Sequence, residues 1–200
     1  MKKYQNIQEQ IVITKLDEGA RSQVQKNWDM VAKPLDGMGL FEKLISKIGA
    51  ITGESQIHLE KKAVLVMCAD NGIVEEGISQ SGQEVTAAVA KEMTKGLSSV
   101  GKMASSIGTD VIPIDIGINT REVIPGLLPR SVRKGTRNFR KEPAMTPEEA
   151  WQAIHTGIGL VAEYKEKGYQ ILATGEMGIG NTTTSSAVIA SLLKCEAEQV

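Results

Sequence analysis

Aromatic residues are scarce in this chain: Phe, Trp and Tyr together make up 4% of 200 residues. That is too few for the stacked platforms on which single-stranded nucleic acid is held. No charge of one sign dominates either. Lys and Arg number 23 against 24 Asp and Glu, a formal net charge of −1, so there is no broad basic field for nucleic acid or an anionic lipid surface. Cysteine is limited to Cys68 and Cys195. They are far apart and form no CxxC, which excludes a disulfide framework and fits a reducing compartment. No apolar run approaches membrane-spanning length, and the opening MKKYQNIQEQ lacks the apolar centre of a secretory leader. The two histidines, His58 and His155, stand alone rather than in a ligand cluster. The expectation is a cytoplasmic protein with no nucleic-acid or membrane partner, no metal and no cofactor.

What is present is ordinary globular material, 41% hydrophobic and 24% charged, in a length that suits one α/β domain or slightly more. The first thirty residues are polar and weakly patterned. From Asp36, an N-cap candidate, Met38, Phe41, Leu44, Ile45 and Ile48 recur at helical spacing until Gly49. KKAVLVMCAD is a continuous apolar run, the signature of a parallel strand covered on both faces. Val85, Val89, Met93, Leu97, Val100, Met103 and Ile107 trace a long helix, broken near Gly96 and stopped by Gly108. DVIPIDIG is a second strand whose Pro113 implies an edge or a bulge. A Pro/Arg-rich loop follows. Thr146, Pro147 and Glu149 then open a helix with a capping box, its expected buried stripe being Trp151, Ile154, Ile158 and Val161. YQILAT is a third strand, and residues 182 to 194 a last helix. Strands alternating with helices predict a three-layer α/β fold, a Rossmann-like parallel sheet with helices on both faces. Residues 1–50 are expected to belong to a smaller helical domain, and 51–200 to an incomplete α/β nucleotide-binding domain. Ligands of such sheets sit beyond the carboxyl ends of the strands, where this chain places Asp70, Asp115 and Glu176.

The stretch GEMGIGNTTTSSA, residues 175–187, carries the most chemistry. A strand, a tight glycine turn and a helix N-terminus together offer unpaired N–H groups and the positive end of a dipole, which suits phosphate or carboxylate. Gly178 and Gly180 permit close approach, while Asn181 and the Thr182–Thr184 run offer caps and donors. A plain turn with a Thr cap is the competing reading. The spacing is G-x-x-G-x-G, not the dinucleotide fingerprint G-x-G-x-x-G, and no Lys precedes the threonines as in a Walker loop.

With VLVMCADNGIVEEGIS, PIDIGI, GTRNFRKEPAMT and KPLDGMGLFEKL, this stretch resembles the nicotinate-nucleotide–dimethylbenzimidazole phosphoribosyltransferase family. The five segments run in the family's order from Lys33 to Ala187. The resemblance implies displacement of nicotinate from C1′ of nicotinate mononucleotide by a ring nitrogen of a lower-ligand base, with inversion, to give α-ribazole phosphate for cobalamin. The substrates it implies are nicotinate mononucleotide and a benzimidazole-type base, and the assembly a homodimer. It places Gly175, Gly178, Gly180, Asn181 and Thr182 on the nucleotide. It puts Glu176 near the reacting sugar, either stabilising positive charge at C1′ or holding a ribose hydroxyl; a cap on backbone amides is the plainer role for that acid. Asp70, Asn71, Ser81 and Val89 complete the substrate-binding candidates, Ser81 aligning with a serine near the base pocket.

The chain departs from the family pattern at four positions. Asn71 replaces the His of A-D-H-G, Val89 a Gln, Leu35 a Pro and Gly82 a Pro. The first two leave the incoming base open between dimethylbenzimidazole, a phenol and a purine. The family's general base is a glutamate in an L-G-E-G-S-G-like segment that has no counterpart among these residues, so a glycine-flanked Glu is expected beyond Val200. The other reading is a non-catalytic nucleotide-binding subunit or fragment that needs a partner for the base. The cluster Arg130, Arg133, Lys134, Arg137 and Arg140 is read first as a solvated loop and second as an anion contact.

Overall fold

The computed structural model describes residues 12–200, so the expectation drawn from MKKYQNIQEQ lies outside the described residues. The chain divides into two compact units, with the boundary between Leu59 and Glu60.

In the first unit, helix α1 spans Glu18–Asp29 and is capped by Asp17, whose Oδ1 accepts from the Ala20 amide at 2.9 Å. The sequence reading missed it because only Val24 of this helix is buried, and a single residue makes no periodicity. Helix α2 spans Leu40–Thr52. Asp36 is not its N-cap: it sits at φ 54° in the turn closed by Gly37 N–H on Pro34 O, and the helix starts behind Gly39. Gly49 does not stop it either. Gly49 lies inside the helix, where a Cβ would sit 2.6 Å from Val24 Cγ2, and the left-handed stop is Gly53. The apolar stripe of α2 is also not its buried face. Phe41 and Leu44 are half-exposed, whereas Glu42, Ser46, Gly49 and Ala50 are buried. Glu42 is tolerated inside because Lys33 Nζ lies 2.7 Å away and the Met38 amide donates to Oε1, which together hold the carboxyl below its ordinary pKa.

The second unit is a four-stranded, wholly parallel sheet in the order β3-β2-β1-β4, formed by β1 (Lys62–Ala69), β2 (Thr109–Gly117), β3 (Leu128–Pro129) and β4 (Ile171–Met177). Successive β1 side chains alternate between two cores. Val64, Val66 and Cys68 face α3 (Glu84–Thr94) and α4 (Ser99–Ser106) through Ala90, Met93 and Val100. Leu65 and Met67 face α5 (Pro147–Glu166) through Leu160 and Tyr164. The parallel sheet is therefore flanked by helices on both faces. Each fully buried Leu or Ile in these layers contributes about 1.5–3 kcal/mol. Cys68 is wholly buried between the layers, and burial pushes its thiol up to about 12, so it is a core group rather than a nucleophile.

Pro113 is accommodated because β3 pairs only with Ile114 and Asp115, leaving the outer side of Pro113 without a partner strand; the bulge lies elsewhere, at Cys68/Ala69 of β1. The expected long helix breaks at Gly96, which has φ 70°, into α3 and α4. The capping box of α5 is present in both directions. Its expected buried stripe is not. Leu160 and Tyr164 face the sheet, while Ile154, Ile158 and Val161 are 40–50% exposed. This helix is apolar on two faces, so periodicity alone could not choose between them.

Strand β4 is an edge, and α6 (Asn181–Leu193) exposes Val188, Ile189, Leu192 and Leu193. A polypeptide of residues 1–200 alone is expected to self-associate through this edge and the neighbouring apolar surface. Sedimentation velocity at micromolar concentration should show concentration-dependent oligomers; a stable monomer would contradict the expectation. Among the described residues, no helix is long and apolar enough to cross a membrane.

Candidate functional site

The carboxyl ends of β1, β2 and β4 place Asp70, Asp115 and Glu176 together at one rim of the sheet, but in different states. Asp70 is 1% exposed. Its Oδ2 accepts from the Asn119 amide at 2.7 Å, and its Oδ1 makes no well-formed hydrogen bond. Burial raises the Asp70 pKa, opposed in part by the Asn119 amide and the Thr86 hydroxyl. Asp115 Oδ1 accepts from the Ile118 amide at 2.8 Å. Both aspartates thus brace the turn that follows β2. Glu176 is the most exposed of the three. Even so, partial burial of its carboxyl raises its pKa by desolvation, against the lowering effect of the Asn181 amide that donates to Oε2. Its partner is therefore a side chain, not the backbone amides of a cap.

The glycine stretch is shorter as a loop than its sequence implied. Gly175, Glu176 and Met177 continue β4 in register with Val66, Met67 and Cys68, and only Gly178, Ile179 and Gly180 turn. Gly175 lacks a side chain because Val66 Cγ2 occupies the adjacent space, 3.1 Å from a Cβ placed there. Gly180 takes φ 82° as the N-cap of α6, and no side chain caps that helix. The expectation that Asn181 and the threonines cap it is corrected. Asn181 turns to Glu176 and Thr184 turns to Asn71. The amides of Thr182 and Thr183 consequently have no acceptor among the described residues. Two open N–H groups at the positive end of a helix dipole, beside a loop with no side chains at two of its three positions, can hold an anionic group.

Of the other candidates, Asn71 is 8% exposed and faces the loop: its amide donates to Ile179 O at 3.1 Å and its Oδ1 accepts from Thr184 Oγ1 at 2.9 Å. Ser81 lies in an exposed turn in which its own amide donates to Ser79 Oγ. Val89 packs against the Val66–Ala90–Met93 core, while its neighbours Ala87 and Ala88 line a cleft of about 330 Å³ together with Asp70, Gln83 and Asn119. The structure therefore gathers Asn71, Glu176, Gly178, Gly180 and Asn181 at one place, with Thr182 on the first turn of α6. Val89 is not part of that group.

Two residues that sequence reasoning missed belong there. Thr86 is fully buried and accepts from the Ile179 amide at 3.1 Å, and Gln83 Nε2 donates to Asn71 O at 3.0 Å. The available signal was Thr86 itself, a polar residue on the same helical face as the buried Ala90 and Met93.

The basic loop is largely neutralised from within. Arg133 and Arg137 share Glu149, Arg140 meets Glu76, Lys141 meets Glu75 and Arg130 meets Glu163. Lys134 has no ion pair among the described residues, and it lines a second cleft of about 310 Å³ with Gly72, Asn119 and Thr136. Glu149 ties this loop to α5. Its bond from the Thr146 amide, aided by Arg137 and Arg133, holds its carboxyl down from 4.5 to about 2. A depressed carboxylate stabilises the fold fully above its ordinary pKa and loses that contribution as pH falls toward its folded value. Glu149→Gln should therefore flatten the fall in stability between pH 4.5 and about 2. Urea-unfolding midpoints for both proteins across that window test this; parallel curves would contradict it. Among the described residues no group of three His, Cys, Asp or Glu is placed to hold a metal ion.

A parallel α/β sheet with helices on both faces and a glycine loop at the carboxyl rim of its strands is the arrangement in which α/β proteins place their ligand sites. The family model described as phosphoribosyltransferase matches residues 13–200, and the chain belongs to that family. It is 47% identical over 177 residues to the nicotinate-nucleotide–dimethylbenzimidazole phosphoribosyltransferase of Acetivibrio thermocellus, covering 88% of this chain and 50% of that one. The enzyme of the same name from Clostridium perfringens strain ATCC 13124 is 45% identical over 185 residues, 92% of this chain and 51% of that one. A crystal structure of the Thermus thermophilus enzyme matches with a TM-score of 0.82 at 35% identity, over 90% of this chain and 55% of that one. The chain spans about half the length of the curated relatives it matches.

Proposed function

We propose that the protein transfers the phosphoribosyl group of nicotinate mononucleotide to 5,6-dimethylbenzimidazole or a related lower-ligand base, giving α-ribazole phosphate for the nucleotide loop of cobalamin. The observation that carries this reading is the high identity, over about nine-tenths of this chain, to relatives bearing that activity in their name, with the family model spanning the glycine loop. In the reaction a ring nitrogen of the base bonds to C1′ as the C1′–N bond to nicotinate breaks. The bonding pair leaves with nicotinate, and the proton of the attacking N–H passes to a general base. Holding the two reactants in line supplies much of the rate.

The open amides of α6 and the bare backbone at Gly178–Gly180 suit the nucleotide's phosphate. Glu176 stands at the β4 end of that site. As a carboxylate it offsets positive charge developing at C1′, or holds a ribose hydroxyl. The general base comes from the family's glycine-flanked glutamate segment, outside these residues. A cytoplasmic homodimer belongs to the same reading.

The test is calorimetry with nicotinate mononucleotide together with a chromatographic assay for α-ribazole phosphate, on protein expressed from the full reading frame and on residues 1–200. The full protein should bind and transfer, whereas residues 1–200 should bind weakly and transfer little. Binding without transfer by the full protein would favour a non-catalytic nucleotide-binding subunit. Transfer at equal rates by both would place the general base within residues 1–200.

A further inference from the structure

We propose that Asn71 and Thr86 are positioning residues that lock the Gly178–Thr184 segment into its anion-holding shape before any ligand arrives. The inference rests on the nucleotide-site reading above, and it moves Asn71 from substrate contact to support.

The supporting contacts converge on Ile179. Its carbonyl accepts from Asn71 Nδ2 at 3.1 Å, and its amide donates to Thr86 Oγ1 at 3.1 Å. Both backbone polar groups of the loop's middle residue are thereby taken by side chains from two other elements. The remaining end of the Asn71 amide group accepts from Thr184 Oγ1 at 2.9 Å, so one side chain spans the loop and the first turn of α6. Asn71 is itself held, since Gln83 donates to its carbonyl. Asn71 is 8% exposed and Thr86 is fully buried, so water is a poor substitute for either.

The consequence is directional. With Ile179 fixed from behind, the amides of Thr182 and Thr183 are the ones left without acceptors. Loss of either clamp lets the loop sample states in which those amides no longer converge, and binding then has to reorder them. A buried Asn with both amide ends used is poorly placed to touch a substrate as well.

The experiment compares wild type, Asn71→Ala, Thr86→Val and Thr86→Ser. Amide hydrogen exchange is measured without ligand, and nicotinate mononucleotide affinity by calorimetry, on the full-length protein. Asn71→Ala and Thr86→Val should speed exchange at residues 179–184 while β1 and β2 remain protected, and should weaken binding by about tenfold. Thr86→Ser keeps the hydroxyl and should restore both readouts. Unchanged exchange at residues 179–184 with weakened binding would overturn the proposal and return Asn71 to direct contact. Uniformly faster exchange through β1 and β2 would also overturn it, reducing the pair to general stability. Local loosening in the variants, with no nucleotide bound by wild type at millimolar concentration, would leave the clamp standing and remove the nucleotide reading instead.

Discussion

Gly178→Ala should abolish measurable binding of nicotinate mononucleotide and lower the melting temperature, and Gly178→Val should do both more severely. A Cβ at this position would lie 2.2 Å from Ala69 O, 2.7 Å from Asn71 Nδ2 and 2.9 Å from Glu176 Oε1. Two of these groups are fixed by the fold: the carbonyl at the end of β1 and the amide that holds Ile179. The closest of the three is backbone, so no rotamer change relieves the contact. Overpacking of this kind costs about 1–3 kcal/mol, and more where backbone has to move. The glycine therefore makes room for the protein's own strand end, a packing requirement separate from any approach of a ligand phosphate. Gly180 is a useful contrast. It is constrained by its left-handed φ of 82°, but the nearest atom to an added Cβ is Val74 Cγ2, a side chain that can shift. Gly180→Ala should accordingly be milder, at about 1–2 kcal/mol. Thermal melts and calorimetry on the three variants decide the matter, and wild-type affinity in Gly178→Ala would refute the packing argument.

Glu176→Gln should lower turnover by two orders of magnitude or more, an effect on the scale of about 10²–10⁴-fold for loss of a catalytic charge or proton carrier, while raising the melting temperature at neutral pH. The two halves have one cause. Desolvation raises the carboxyl's pKa in the folded protein, so its ionised form is penalised on folding. A carboxyl whose folded pKa is raised contributes stability below its unfolded pKa and loses it as pH rises through the folded value. The neutral amide avoids that penalty and can still accept from Asn181. Gain of stability with loss of activity is the pattern of a group retained for chemistry. The same shift predicts that the acid limb of the wild-type rate profile, where it reports Glu176, lies above the usual glutamate range. A variant with reduced stability and near-normal turnover would assign Glu176 to structure.

The segments that were legible in the sequence are those whose signals are local. The apolar run Ala63–Ala69 could only be a covered strand, Gly96 had to break a helix, and Thr146 with Glu149 formed the capping box that their spacing implied. The glycine loop was recognisable too, because strand, turn and helix follow one another directly. What was not legible depends on distance along the chain. Asn71 reaches Ile179 and Thr184 across 108 and 113 residues, and Thr86 reaches Ile179 across 93. No spacing rule connects such positions, so neither the contacts of Asn71 with the loop nor any role for Thr86 could be read from the sequence. Val89 and Ala87 both pack in part against the core, and of these two only Ala87 also lines the cleft beside Asp70, a distinction that depends on the helix's orientation and not on local sequence. For α5, two apolar faces of similar strength left periodicity unable to say which met the sheet.

Whether the open amides at the start of α6 hold the nucleotide's anionic group is tested most directly by amide hydrogen exchange of the full-length protein with and without saturating nicotinate mononucleotide. Slowed exchange should concentrate at Thr182 and Thr183, the two amides without an acceptor among the described residues. Nucleotide binding that leaves these two amides unchanged and protects another region of the sheet rim would contradict that assignment.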